Sequence, residues 1–159
     1  MSAELKIRAA DGAADMDVTR EMFREYQEWL GVDLCFQGFD AELAGLPGEY
    51  APPKGRLYLV FDGESGKPAA CVGLRPLRTE RSEMKRLYVR EPWRGRGLGR
   101  ELAMLCVEQA QNCGYRYLCL DTLPKLKAAR ALYLSMGFRD IDAYYDNPLD
   151  GVSYMQLDL

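Results

Sequence analysis

The spacing of apolar and polar residues changes several times along the chain, and each spacing predicts one kind of element. Apolar runs and alternating stretches rich in β-branched and aromatic residues predict strands at residues 5–9, 56–61, 69–74, 83–89, 117–121, 138–141 and 152–159. Apolar residues at helical spacing predict helices at residues 15–30, 40–44, 97–113 and 125–136. Glycines directly after three of these helices act as stop signals: Gly31, Gly114 and Gly137.

The order of these predicted elements limits the fold. A strand and two helices come first, followed by two strands that form a hairpin around the turn at residues 62–66. A strand, a helix, a strand, a helix and two short strands complete the chain. This order predicts a single α/β or α+β domain over residues 1–159, built on a mixed central β-sheet flanked by helices.

Composition and charge exclude several classes of protein. The 159 residues are 48% hydrophobic and 28% charged, as in soluble globular domains, and the net charge of −3 argues against nucleic-acid binding. We find no apolar run long enough to cross a bilayer and no signal peptide, and five scattered cysteines indicate buried thiols, so we expect a cytoplasmic protein. The chain has no histidine, which excludes Ser-His-Asp catalysis and the usual zinc sites, and we predict no metal.

The stretch at residues 83–100 reads as a strand, a glycine-rich turn and the start of a long helix. Glycines at positions 95, 97 and 99 leave room beside the backbone, and arginines at positions 94, 96 and 100 add positive charge. The first N–H groups of a helix lack partners within the helix and lie at the positive end of its dipole. The stretch therefore predicts a phosphate-binding site.

Two motifs in the second half of the chain resemble those of one enzyme family. The run Arg94-Gly95-Arg96-Gly97-Leu98-Gly99 resembles the Arg/Gln-x-x-Gly-x-Gly/Ala signature of the GNAT superfamily of N-acyltransferases. The run at residues 131–138, Ala-Leu-Tyr-Leu-Ser-Met-Gly-Phe, resembles the family's Ala-x-x-Leu-Tyr-x-x-x-Gly-Phe ending. The two matches stand in the family's order and spacing, so the predicted elements are expected to form the GNAT fold.

The resemblance implies a cofactor and the residues that hold it. In the family, the glycine turn holds the pyrophosphate of acetyl-coenzyme A, and the main chain of the preceding strand pairs with the pantetheine arm. The cofactor-binding residues implied here are Leu87, Tyr88, Val89, Arg94, Gly95, Arg96, Gly97, Leu98, Gly99 and Arg100. The sequence departs from the family at Leu126, where many relatives have an asparagine that contacts the cofactor.

The resemblance also implies two catalytic residues. Histone-type members carry a general-base glutamate on the strand before the turn, at an offset similar to that of Glu83. The alternative for Glu83 is an ion pair with Arg86 or Lys85, and many relatives use water chains instead of a direct base. Tyr133 matches the family's tyrosine near the coenzyme A sulfur, where a phenol can supply a proton. An ordinary core tyrosine is the alternative.

Two loops are candidates for the acceptor side. The apolar residues 32–39 either pack locally or form a wall of the acceptor site, as this region does in the family. The acids and tyrosines of residues 142–151 would suit a cation, although such a turn is acidic in many inert loops. The basic residues Lys125, Lys127 and Arg130 either reach phosphates or form a solvated helix face.

We therefore expect an N-acetyltransferase that moves an acetyl group from acetyl-coenzyme A directly to a primary amine, on a small molecule or an amino-acid-like acceptor. Direct transfer is favoured because no cysteine stands beside a base that would activate it. The alternative is a non-catalytic acyl-coenzyme A sensor, which would not need Glu83 and Tyr133. No nucleic-acid or membrane partner is expected, and a homodimer is compatible with the sequence.

Overall fold

Seven strands form one mixed sheet in the computed structural model, which describes residues 4–159 except the side chain of Phe36. The strands are β1 (Leu5–Ala9), β2 (Arg56–Asp62), β3 (Pro68–Arg78), β4 (Arg81–Val89), β5 (Tyr117–Thr122), β6 (Arg139–Ile141) and β7 (Ser153–Asp158). They lie in the order β1-β2-β3-β4-β5-β7-β6, and β4 and β5 form the parallel pair. The predicted mixed sheet and all its predicted strands are confirmed, while the first three residues of the predicted domain lie outside the described range.

Helices cover both faces of the sheet in the described part of the chain. They are α1 (Gly12–Leu30), α2 (Phe39–Ala44), α3 (Leu98–Asn112) and α4 (Lys127–Ser135). Gly31 ends α1 with a left-handed φ of 72°, and its N–H donates to the carbonyl oxygens of Gln27 and Glu28, both at 3.1 Å. A short 3₁₀ turn, Cys35–Gln37, lies inside the predicted apolar loop and leads into α2.

The strand alternation divides the core into two layers. On one face, Val72 and Leu74 of β3 pack with Leu102 and Cys106 of α3. On the other face, Leu59 of β2 packs in the layer formed by α1 and α2. Each layer is fully buried at its centre, so the sheet is a rigid frame between two sets of helices.

The hairpin of β3 and β4 is longer than the sequence predicted. The sequence predicts that this strand ends at residue 74, but it continues to Arg78. Pro76 pairs with Ser82, and the register shifts between Pro76 and Arg78. Proline is tolerated at such irregularities because its missing N–H is not needed there. The extension brings Arg75 opposite Glu83, a pairing that the sequence prediction did not include.

No helix in residues 4–159 is both long enough and apolar enough to cross a membrane.

Candidate active site

The parallel strands β4 and β5 separate partway along their length. Their ladder begins at Arg81 and Tyr117 and ends at Glu83 and Cys119. Beyond this point a cavity of about 300 Å³ is lined by both strands, the C-terminal part of α1, the glycine turn and α4. Within the described chain, the β5-facing edge of β4 has no ladder partner at residues 84–89. The carbonyl oxygen of Val89 accepts from Arg94 Nε at 2.8 Å, and main-chain groups before it are available to a ligand.

A β-bulge shapes β4 beside this cavity. Arg86 and Leu87 together face a single residue of β3, Val72. Arg86 has a left-handed φ of 61°, a conformation that costs a residue with a side chain about 1–2 kcal/mol. The side chains of Leu87 and Val89 pack against the α3 layer, so these residues line the cavity largely through their backbone.

The glycine turn has the geometry of an anion site. Gly95 and Gly97 both have a φ of 78°, and a Cβ atom at either glycine or at Gly99 would meet nothing within 4 Å. Among residues 4–159, the N–H groups of residues 95–100 donate to no protein acceptor. Because α3 begins at Leu98, these free donors lie at the positive end of its dipole. The predicted turn therefore has both the room and the donors that a phosphate group requires.

The three arginines of the turn point in different directions. Arg94 lines the cavity, where its guanidinium lies 5.0 Å from the ring centroid of Trp29 on α1. Arg100 donates to Ser135 Oγ of α4 at 3.1 Å. Arg96 stays beside the turn itself. Positive charge therefore surrounds the open space above the turn, and Arg94 extends it to the cavity.

Tyr133 lies in the cavity wall opposite β4. It is 6% exposed, and its hydroxyl group donates to no protein acceptor among the described residues. Burial raises the pKa of Tyr133 well above its ordinary value, so the phenol keeps its proton at neutral pH. A purely structural buried tyrosine usually has a hydrogen-bond partner, and the role of Tyr133 as proton donor stays a prediction.

Leu126, the departure from the family motif, also lines the cavity. Its side chain adds apolar surface where many relatives have an amide. The hydroxyl group of Thr122, another residue of the wall, is buried without a partner among the described residues. The cavity near α4 is therefore more apolar than the family motif predicts.

Glu83 lies beside the cavity but is enclosed by protein. Its side chain is 1% exposed. Arg75 Nε donates to Oε1 at 3.1 Å, and the Tyr144 hydroxyl donates to Oε2 at 2.6 Å. Of the two predicted ion-pair partners, Lys85 lies 3.8 Å from Oε2, while Arg86 pairs with α2 instead. A proton can reach this carboxylate only through its neighbours or a water molecule.

Asp121 is the carboxylate that faces the cavity, and the sequence reasoning missed it. Its side chain is 12% exposed, Lys85 Nζ donates to Oδ1 at 3.2 Å, and the Tyr145 hydroxyl donates to Oδ2. Gln37 and Asn147 each donate to the same hydroxyl at 3.0 Å. Burial alone would raise the pKa of Asp121, but Lys85 and the hydroxyl outweigh it, so the pKa lies below its ordinary value. Asp121 therefore carries a negative charge at neutral pH.

The cysteines are poor candidates for a covalent intermediate. Burial raises the pKa of Cys71 and of Cys106 to about 12, and that of Cys119 to about 11. Cys119 is the cysteine that pairs with Glu83 at the point where the strands separate. Its thiol stays protonated at neutral pH, so it lacks the thiolate that attack on an acyl group requires.

Both loops predicted for the acceptor side reach the polar end of the cavity. Val32 and Leu34 line it, and Leu34 also packs in the α1 layer, so part of residues 32–39 packs locally. Their role as a wall of the acceptor site stays a prediction. In residues 142–151 the acids are exposed, whereas Tyr144 and Tyr145 turn inward to the carboxylates. Arg130 pairs with Asp140 at 2.7 Å and so sits apart from the cavity.

The split between β4 and β5, the glycine turn and the N terminus of α3 together form a site suited to a phosphate-bearing ligand. The chain belongs to the acetyltransferase (GNAT) family, whose model matches residues 16–138. It is 38% identical over 158 residues to an uncharacterized N-acetyltransferase of Schizosaccharomyces pombe, covering 99% of this chain and 96% of the relative. The predicted family is confirmed, and with it an acetyltransferase rather than a module that only binds acyl-coenzyme A.

Solved structures show the same fold. An acetyltransferase of the GNAT family from Staphylococcus aureus is 18% identical, with a TM-score of 0.79 over 98% of this chain and 99% of that chain. An acetyltransferase from Salmonella typhimurium, solved with its cofactor acetyl-CoA, is 21% identical, with a TM-score of 0.69 over 97% of this chain and 93% of that chain. The predicted GNAT fold is therefore confirmed.

Proposed function

We propose that this acetyltransferase moves the acetyl group of acetyl-coenzyme A directly to the primary amine of a small acceptor. One observation carries the proposal: a single cavity has the glycine turn and Arg94 at one end and the Lys85–Asp121 pair at the other. Tyr133 and the unpaired edge of β4 lie between the two ends. Phosphate-binding and amine-binding groups therefore face each other across the site of transfer.

Coenzyme A suits the first end of this cavity. Acetyl-coenzyme A is the co-substrate of the family, as the acetyl-CoA bound to the Salmonella typhimurium relative illustrates, and it supplies a reactive thioester. The free N–H groups of residues 95–100 would hold its pyrophosphate, and the main chain of residues 87–89 would pair with its pantetheine arm. These are the roles predicted for the turn and the strand.

The second end of the cavity suits a cation. Asp121 would hold the acceptor ammonium, and Val32 and Leu34 would contact its carbon skeleton. An amine must lose a proton before it attacks a carbonyl carbon. Glu83, predicted as the base, would receive this proton indirectly, because Lys85 Nζ lies 3.2 Å from Asp121 Oδ1 and 3.8 Å from Glu83 Oε2.

Two groups of the protein would complete the transfer. Main-chain N–H groups at the open edge of β4 are the donors nearest the split for the carbonyl oxygen, which gains negative charge as the amine attacks. Tyr133 would give its proton to the departing sulfur. The amine nitrogen forms the new bond to the acetyl carbon as the carbon–sulfur bond breaks, so no residue of the enzyme is acylated.

A panel of acceptors tests the proposal. Thiol release from acetyl-coenzyme A should depend on a primary amine, and mass spectrometry should find the N-acetyl product. Alcohols and tertiary amines of matched size serve as controls and should be inactive. Release of thiol with alcohols alone would contradict transfer to nitrogen. The cytoplasmic location and the homodimer expected from the sequence stay predictions.

A further inference from the structure

The bulge of β4 is held by a buried ion pair that the mechanism has not used. Arg86 is at the strained position of the bulge, and its side chain is 2% exposed. It donates from Nη2 to Glu42 Oε1 at 2.9 Å and from Nε to Glu42 Oε2 at 3.1 Å. This bidentate contact fixes both the distance and the orientation of the guanidinium relative to α2.

Helix α2 contacts Arg86 with a second residue. The guanidinium lies 5.1 Å from the ring centroid of Phe39, one turn before Glu42 on α2. The two residues share a face of the helix because they are three positions apart. Arg86 is thus held by its charge and by its flat surface, in a way that no other cation of this size would reproduce.

The other strand of the bulge is fixed by the same group of residues. Tyr50 donates from its hydroxyl to Glu42 Oε2 at 3.0 Å. Its ring packs so closely on Gly73 of β3 that a Cβ atom there would lie 2.5 Å from the ring. Cys71, also on β3, donates from Sγ to the carbonyl oxygen of Arg86 at 3.3 Å. Both strands that form the bulge are therefore anchored beside the cavity.

The charges of the pair are stable at neutral pH. Burial alone would raise the pKa of Glu42, but the bonds from Arg86 and the nearby Arg75 outweigh it, so the pKa lies below its ordinary value. A buried ion pair is often no more stabilising than an apolar pair of the same volume. A gain in stability is therefore a weak explanation for a strained arginine at this position, and strained backbone of this kind is common at functional sites.

We infer that α2 sets the shape of the β4 bulge through the Glu42–Arg86 ion pair, which makes both residues positioning residues for acetyl transfer. The inference rests on the proposed function, since it assigns the main chain of this stretch to the carbonyl oxygen. The pair fixes where these N–H groups point. Gln37, which accepts a hydrogen bond from Lys85, lies two residues before the start of α2, so one short segment of chain contacts both the acceptor end and the bulge.

The test uses Arg86→Gly, Glu42→Gln and the double variant. Glycine accepts the left-handed φ without strain, so Arg86→Gly removes the ion pair with Glu42 and still allows the backbone to form the bulge. Glu42 then keeps Tyr50 and, at 3.6 Å, Arg75 as partners, which favours a folded protein. Asp15→Asn is the control, because it weakens another strand-to-helix ion pair, with Arg8 of β1, far from the cavity.

Three measurements separate positioning from a structural role. Coenzyme A affinity by calorimetry should stay within threefold of the wild type in Arg86→Gly, because the glycine turn is intact. We expect kcat to fall by about 10- to 100-fold, the size of a small misplacement at a reacting centre. The infrared band of the bound acetyl carbonyl, labelled with ¹³C, should move toward its frequency in free acetyl-coenzyme A.

The double variant should lose no more activity than Arg86→Gly, since both changes break one contact. The control should unfold at a lower temperature with normal kcat and a normal carbonyl band. A folded Arg86→Gly protein with kcat within twofold of the wild type and an unchanged band would overturn the inference, and Glu42→Gln applies the same criterion if Arg86→Gly does not fold. If the wild type acetylates no amine, the proposed function fails, yet the carbonyl band still tests the positioning.

Discussion

Two carboxylates at the acceptor end differ in how they meet the cavity. Asp121 lines it, whereas Glu83 is enclosed by Arg75 and Tyr144. We expect Asp121→Asn to raise KM for the amine and to lower kcat/KM by about 10- to 100-fold, with KM for acetyl-coenzyme A unchanged, because a charged hydrogen bond to the ammonium is lost. Steady-state kinetics check this, with the exposed Asp146→Asn as control. An unchanged KM for the amine would show that Asp121 does not bind the acceptor.

Glu83→Gln tests the base predicted from the sequence. It preserves size and removes basicity, so kcat should fall by about 10²- to 10⁴-fold. The loss should shrink as pH rises, because more of the amine is then already neutral. A pH–rate profile measures this. A loss of kcat below about threefold that does not vary with pH would be far smaller than expected for a general base. It would show that Glu83 has only a structural role, as the ion-pair partner of Arg75.

Tyr133→Phe removes a hydroxyl group that has no protein partner. We expect kcat to fall by about 10²-fold, the lower end for a general acid, with little change in acetyl-coenzyme A affinity. Tyr115→Phe is the matched control, because the Tyr115 hydroxyl donates to the carbonyl oxygen of Lys54 at 2.7 Å in the same core layer. The control should lower the thermal midpoint and keep turnover. Normal turnover in a folded Tyr133→Phe protein would show that Tyr133 is not the proton donor and that the thiolate takes its proton from water.

At the scale of single residues, the sequence predicted only those cavity residues that belong to a family motif. Tyr133 stands in the cavity wall as the Ala-x-x-Leu-Tyr motif implies. Asp121 was missed because an acid at the end of an apolar strand has no local signal that distinguishes it from any strand terminus. Arg75 was missed because the strand was predicted to end at residue 74, and only the cross-strand register brings Arg75 to Glu83.

Among the elements, the glycine turn makes the sharpest prediction. Gly97→Asp places a negative charge and a side chain in the open space above the free amides, so coenzyme A affinity should fall by at least about 10²-fold, as repulsion between two close like charges implies. Gly114→Asp is the control, because Gly114 also has a left-handed φ, 86°, and open space, but lies at the other end of α3. Calorimetry and thermal unfolding compare the two variants.

Both glycine variants force a side chain into a strained conformation, and Gly114→Asp should lose more stability because its negative charge lies at the C-terminal end of α3. Wild-type coenzyme A affinity in a folded Gly97→Asp protein would show that the phosphates bind elsewhere. Equal loss of affinity in both variants would attribute the effect to a damaged helix.

The sequence predicted the elements well because their hydrophobic spacing is strong. Each predicted strand and helix is present, with ends shifted by a few residues, as at α4, which begins at Lys127 rather than at residue 125. The bulge at Arg86 could not be predicted. Nothing in the local sequence signals a left-handed arginine, and the bulge depends on a contact with α2, which lies 44 positions away.

For the whole molecule, buried carboxylates predict acid sensitivity. The pKa values of Glu42 and Asp121 are lowered in the folded protein, so folding is favoured when both are ionised. This contribution to the free energy of unfolding is full above the pKa of an unfolded carboxyl group, about 4, and is lost as pH falls through the lower folded values. Urea unfolding between pH 7 and pH 3 should show the decline.

Glu42→Gln provides the comparison for this decline. The variant cannot be protonated at this position, so its free energy of unfolding should fall less steeply in acid than that of the wild type. Equal slopes for the two proteins would mean that Glu42 does not contribute to the acid sensitivity.

The arrangement of the whole domain followed from the family motifs more than from the spacing of residues. The order of elements allowed several mixed sheets, whereas the paired motifs implied one fold. The sequence did not predict the group of residues around Asp121, because they come from separate segments: β4, β5, the 3₁₀ turn with Gln37 and the loop with Tyr145. No single stretch of sequence carries that combination.

Direct transfer to an amine is the central claim, and one mass-spectrometric experiment tests it. The enzyme is mixed with acetyl-coenzyme A carrying a ¹³C-labelled acetyl group, first alone and then with the panel of primary amines. The account predicts that the intact mass of the protein stays unchanged throughout and that the label appears on the nitrogen of an amine. Label on the protein before amine is added, followed by its passage to the amine, would contradict direct transfer.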